Sequence, residues 1–67
     1  MRTFNRYKQN LRQHNDEIWS YSTHVATIIY DENNQPSHLK QLGWWSVTTQ
    51  KHINYAANEL NLIVIKP

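Results

Sequence analysis

Cysteine is absent from this chain, and glycine and proline nearly so: Gly43 is the single glycine, and Pro36 and Pro67 are the two prolines. Without cysteine there is no disulfide to staple a small core and no thiolate zinc site, and the pattern suits a reducing compartment. With one glycine there is no glycine-rich loop, so nothing here cradles a nucleotide phosphate as a P-loop does. Apolar runs are short as well. None approaches the roughly 18 residues of a membrane span, and Met1-Arg2-Thr3-Phe4 lacks the apolar stretch of a secretory leader. The expectation is a soluble, cytoplasmic protein with no membrane contact and no cofactor.

What is present is aromatic. Three tryptophans, four tyrosines and one phenylalanine occur among 67 residues, and a chain of that length buries only about 60% of its unfolded surface. Some of these rings must therefore form the core of a single domain, residues 1–67. Net charge is only +2, but it is uneven: Arg2, Arg6, Lys8 and Arg12 occupy the first fifteen residues without an acid, and the remainder holds three bases against five acids. A basic segment 1–15 on a slightly acidic body 17–67 is an arrangement suited to nucleic acid or to an acidic protein surface.

Phe4, Tyr7 and Leu11 recur at helical spacing, with Thr3 available as a cap, which predicts a short basic helix over 3–14. Glu17 to Tyr30 is dense in β-branched and aromatic residues and predicts one long strand. The run Asp31-Glu32-Asn33-Asn34-Gln35-Pro36 predicts a hairpin loop, and Ser37 to Leu42 a returning strand interrupted at Gly43. Trp44-Trp45-Ser46-Val47 then reads as aromatic strand entering a helix capped by Thr48 or Thr49. Ile53, Ala56, Ala57 and Leu60 give that helix an apolar stripe, and Leu62-Ile63-Val64-Ile65 forms a last strand. The fold class expected is α+β: a small antiparallel sheet of two to three strands packed on one helix, 49–60, in the order α-β-β-α-β.

Candidate sites follow from these placements. The helix start brings Thr48, Thr49, Lys51 and His52 together as an anion-binding set, since free N–H groups and the helix dipole favour negative charge there. Trp44, Trp45 and Tyr21 are the candidates for partner binding, with Trp44 the more exposed of its pair. Arg2, Arg6, Lys8 and Arg12 would meet phosphates in a nucleic-acid binder. His14, His24, His38 and His52 lack the spacing of metal ligands, so no metal site is expected. His52 with Ser20, Ser22 or Ser46 lacks a nucleophile elbow and an orienting acid, so catalysis is not expected either.

Ser20-Tyr21-Ser22-Thr23-His24-Val25-Ala26, followed by Trp45-Ser46-Val47-Thr48-Thr49-Gln50-Lys51-His52, resembles a small domain of unknown function common in bacteriophage and prophage genomes. Its pattern is S-Y-x-T-x-V-A, a hairpin-length gap, then aromatic-S-x-T-T-x-x-H, often with tyrosine where Trp45 stands. The resemblance covers about residues 19 to 55. It implies a phage or prophage origin and a hairpin-plus-helix unit, and it carries no activity. Polar residues inside apolar strands suggest a hydrogen-bonded cluster closed by His52 where strand meets helix.

The function expected is that of a non-enzymatic, phage-encoded accessory protein that binds a host or phage protein. A nucleic-acid binder using the basic segment is the alternative. A self-associating structural protein, a homodimer among them, is a third.

Overall fold

Phe4 and Leu11 are both buried, yet no helix joins them. The computed structural model describes residues 2–67; Met1, which opens the expected basic segment, lies outside the described residues. In place of the helix predicted over 3–14 there are two strands, β1 (Arg2–Thr3) and β2 (Leu11–His14), paired antiparallel. Two physical reasons account for the difference. Arg2 with Arg6, and Lys8 with Arg12, would repel along a helix at i,i+4, and Tyr7 adopts a left-handed backbone with φ 57°, which no α-helix admits. The Tyr7 carbonyl accepts from the amides of Asn10 and Leu11 at 3.1 and 2.8 Å, and this one turn carries the chain into β2.

The long strand expected over Glu17–Tyr30 is also two: β3 (Glu17–Ser20) and β4 (Thr23–Tyr30), antiparallel and joined by Tyr21 and Ser22. Tyr21 turns the corner with φ 56°, a turn made without glycine, asparagine or proline. Between Ile18↔Ala26 and Trp19↔His24 the register shifts by one, so Val25 is an extra residue on β4. That bulge lets Val25 and Ala26 both be buried, although neighbours in a regular strand face opposite ways. β5 (Pro36–Gln41) returns antiparallel after the polar hairpin loop, where the Asp31 side chain accepts from the amides of Asn33 and Gln35.

Trp44 and Trp45 lie outside any strand, because β5 ends at Gln41. The buried Gln41 side chain donates to the Gly43 carbonyl at 2.7 Å and exchanges amide hydrogen bonds with Gln50 at 2.8 and 2.9 Å. These bonds turn the chain from the sheet into α1 (Val47–Leu60). Ser46, rather than Thr48 or Thr49, is the N-cap, its hydroxyl accepting from the Thr49 amide at 3.2 Å. Asn61 ends the helix in the left-handed conformation, and β6 (Ile63–Ile65) adds to β5 in parallel.

The expected sheet of two to three strands in the order α-β-β-α-β is therefore corrected. The sheet is mixed and six-stranded, ordered β1-β2-β3-β4-β5-β6, with one helix between β5 and β6. Helix α1 covers one face, where Ile53, Ala56 and Ala57 meet Leu11, Ile18, Ile28 and Leu39 in a single core. On the opposite face Arg12, Trp19, His24, Thr27 and Lys40 follow from the strand pairing, outside the helix layer.

Strand direction sets which loops share an end. β1, β3, β5 and β6 all run one way, so residues 4–10, Tyr21-Ser22, residues 42–46 with the start of α1, and Lys66 gather at one end of the sheet. The turns at residues 15–16 and 31–35 and the end of α1 lie at the other.

Candidate functional site

The loop end holds two adjoining features, one buried and one exposed. The buried one is polar. The Ser20 hydroxyl, at the end of β3, lies 2.7 Å from Nδ1 of His52 on α1, and both residues are only 2% exposed. Thr49 Oγ1 lies 3.5 Å from Ser20 Oγ and 3.4 Å from Ser46 Oγ, extending the chain of hydroxyls to the helix cap. Burial holds the His52 pKa below the ordinary imidazole value, so the ring is neutral at pH 7 and one nitrogen can share the Ser20 bond. Among the described residues no buried side-chain nitrogen or oxygen lacks a partner.

Rings continue from His52 to the surface. Its ring centroid is 4.6 Å from that of Tyr7 and 5.6 Å from that of Tyr21, and Tyr7 meets Tyr55 edge-on at 5.5 Å. The Arg6 guanidinium lies 5.3 Å from the Tyr7 ring and 5.9 Å from the Tyr55 ring. This row, Tyr55-Tyr7-His52-Tyr21, runs along one side of α1. Farther along, the Asn5 amide donates to Glu59 at 2.9 Å and Arg2 pairs with Glu59 at 3.2 Å. The Asn5 amide is the main cause that holds the Glu59 carboxyl below its usual range, helped by Tyr55 and Arg2 against the cost of burial. The same carboxylate, accepting from the Tyr55 hydroxyl, raises the Tyr55 pKa.

Tyr7 and Tyr21 are both left-handed, a region that costs a bulky side chain about 1–2 kcal/mol. Tyr7 repays part of this by packing against the core. Tyr21 leaves 54% of its surface in solvent, so packing explains less of its strain.

The exposed feature is aromatic and basic. Trp44 is 64% and Trp45 42% exposed. The Lys66 ammonium lies 5.4 Å from the Trp44 ring, and Trp45 folds over Gly43 so closely that a Cβ there would stand 3.3 Å from its ring. Six of the seven basic residues lie at or near this end: Arg6, Lys8, Arg12, Lys40, Lys51 and Lys66. Four of the five acids, Asp16, Glu17, Asp31 and Glu32, sit toward the other end, and the fifth, Glu59, lies along the side of α1, bound by Arg2 and the Asn5 amide. The N-terminus of α1, its positive pole, points to the basic end.

The residues singled out from sequence divide accordingly. Trp44, Trp45 and Tyr21 do meet at one end. The set Thr48, Thr49, Lys51 and His52 is split, because Thr49 and His52 are buried within the hydroxyl cluster while Thr48 and Lys51 face solvent. Of the four bases Arg2, Arg6, Lys8 and Arg12, Arg2 is engaged by an ion pair with Glu59, and Arg6 lies over the Tyr7 and Tyr55 rings. Ser20 and Tyr7 were missed as site residues, as were Lys40 and Lys66. The signal for Ser20 lay in the Ser-Tyr-x-Thr block; for Tyr7, whose backbone geometry decides its role, local sequence carries none. In the hydrogen-bonded cluster that the motif suggested, the β3 member is Ser20, which meets Thr49 and His52.

A serine 2.7 Å from a histidine has the spacing of a nucleophile and base, but here the hydroxyl is enclosed and, among the described residues, no carboxylate is hydrogen-bonded to the ring to orient it. The pair holds β3 to α1. Among the described residues no cleft forms and no group of three potential metal ligands converges, and no helix is long and apolar enough to cross a membrane.

No curated protein and no solved structure matches the chain. A family model does, over residues 2–63, and this span includes the N-terminal hairpin as well as the Ser20-Tyr21 and Ser46-to-His52 blocks. The chain belongs to the family of unknown function DUF8033.

Proposed function

We propose that the protein is a non-enzymatic binding module, a phage-encoded accessory protein that docks an anionic macromolecule with the loop end of its sheet. The observation that carries this reading is the segregation of charge, with six bases toward the end that also exposes Tyr21, Trp44 and Trp45, four of the five acids toward the other, and Glu59 engaged between them by Arg2 and the Asn5 amide. Aromatic and cationic side chains together are the usual anchors of a contact surface. A small ligand needs a concave site, and no cleft forms among the described residues, so a macromolecule suits this end better. Phage origin rests on the Ser-Tyr-x-Thr and Thr-Thr-x-x-His blocks.

A host or phage protein with an acidic face fits this description, and so does a nucleic acid. The spread of charge over the whole end, beyond the N-terminal segment, is the observation that favours the nucleic acid. Heparin serves as a neutral test of the surface. In a heparin titration followed by amide NMR, the perturbed residues should cluster in 5–10, 21–22, 42–51 and Lys66. Perturbation centred on residues 15–17 and 31–35, or none, would sink the proposal.

A further inference from the structure

We infer that the loop end takes single-stranded nucleic acid, with unpaired bases stacking on Tyr21 and Trp44 and phosphates meeting the surrounding bases of the chain. The inference deepens the reading above and rests on it.

Three observations converge. The first is Tyr21, whose ring is half exposed although its backbone is held in a conformation that disfavours a bulky side chain. Glycine or asparagine would make this turn with less strain. What the tyrosine adds is a ring, packed at a 37° tilt against His52 with centroids 5.6 Å apart, in a residue that leaves about half its surface in solvent. An exposed ring steadied by a buried neighbour is what an unpaired base stacks on.

The second is spacing. Tyr21 follows β3, Trp44 follows β5, and the Lys66 ammonium lies 5.4 Å from the Trp44 ring just beyond β6. Strands are about 4.8 Å apart, so the loops from β1 to β6 span about 24 Å across the sheet end. That is room for a run of several nucleotides. Arg6 and Lys8 lie on one flank and Lys51 and Lys66 on the other; the acid that reaches this end's loops, Glu59, is engaged by the Asn5 amide, the Tyr55 hydroxyl and Arg2.

The third concerns the alternatives. A duplex reader inserts a helix or a β-ribbon into a groove, but α1 lies against the sheet with His52, Ile53, Ala56 and Ala57 buried, and no ribbon projects beyond the loop end. An acidic protein would answer the charge and use exposed aromatics as anchors, but separate exposed rings on successive loops between cations match a strand of stacked bases, each of which has a face to offer.

The test is a titration of the whole protein with fluorescein-labelled (dT)15 and (rU)15, a 15-base-pair duplex, and polyglutamate as an anion without bases. Single strands should bind, quench tryptophan emission, and lose about fifty-fold in affinity between 50 and 200 mM salt if four phosphates are engaged. Tyr21→Gly should weaken single-strand binding about tenfold without lowering the melting temperature, because it relieves the backbone; Tyr21→Phe should bind as the natural protein does. Trp44→Ala, on an exposed loop, should weaken binding likewise. Duplex binding as tight as single-strand binding, or Tyr21→Gly and Trp44→Ala without effect, overturns base stacking. Polyglutamate binding as tightly as the oligonucleotides overturns the nucleic-acid inference while the anionic module stands. Failure of all four probes at 50 mM salt removes both.

Discussion

Ser20 and His52 come from opposite halves of the chain and meet at 2.7 Å between strand and helix, each almost fully enclosed. Their bond is the polar contact that fixes the start of α1 over the end of β3. Removing the hydroxyl leaves a buried ring nitrogen without its partner, and Ser20→Ala should cost about 1–3 kcal/mol. Urea denaturation at pH 7.5 checks this; a midpoint equal to that of the natural protein would show that the bond contributes nothing.

The same ring makes stability depend on pH. Burial lowers the pKa of His52 in the folded protein, so between that value and the unfolded value near about 6.5 the unfolded chain binds more protons. Stability from this group is complete above about pH 6.5 and is lost as pH falls toward the folded value. Comparing denaturation midpoints at pH 7.5 and 5.5 should show a lower midpoint at the acid end, and the difference should shrink in His52→Gln.

Ser46 closes the first turn of α1 by accepting from the Thr49 amide. Ser46→Ala should cost about 1 kcal/mol, whereas Ser46→Asp should retain most of the stability. Thermal melts of the two variants decide whether Ser46 or one of the following threonines caps the helix.

Gly43 lies under the Trp45 ring with a negative φ, so its backbone asks nothing special of glycine. What matters is space: an added methyl would stand 3.3 Å from the ring, closer than ordinary van der Waals contact. Gly43→Ala should leave the circular dichroism of the fold unchanged and shift the tryptophan emission as Trp45 moves. An unaltered spectrum would mean the ring does not rest there.

Leu39 is fully buried on β5 against the helix. Leu39→Ala should cost about 2–5 kcal/mol, a large share of the total stability of a domain this small. Its signature is loss of the cooperative thermal transition at 37 °C or below.

How much of this was legible in the sequence depends on where local pattern and tertiary packing agree. The helix to Leu60 was legible because Ile53, Ala56 and Ala57 recur on one face and that face is the buried one. The N-terminal segment was not, because Phe4, Tyr7 and Leu11 repeat at helical spacing yet reach the core from a loop and a strand. A bulge at Val25 and a tyrosine turn after Ser20 concealed the boundary between β3 and β4, since neither leaves the glycine or proline that usually marks a break. At the site, the polar motif pointed to His52 as the closing member, which the Ser20 bond shows it to be. The gathering of charge at one end could not be seen before the strand directions were known, because Lys40, Lys51 and Lys66 are scattered among neutral residues.

Each strand of the sheet lies beside the one that precedes it among the strands, and all but the last step are made by short hairpins or loops. Contacts of that kind close quickly during folding, because little chain entropy is lost before they form. β6 is different, since it must wait for α1 to cross the sheet before its parallel pairing with β5 can be made. By this argument the first five strands should be the fast, local part of the fold, with docking of the helix and the last strand coming later.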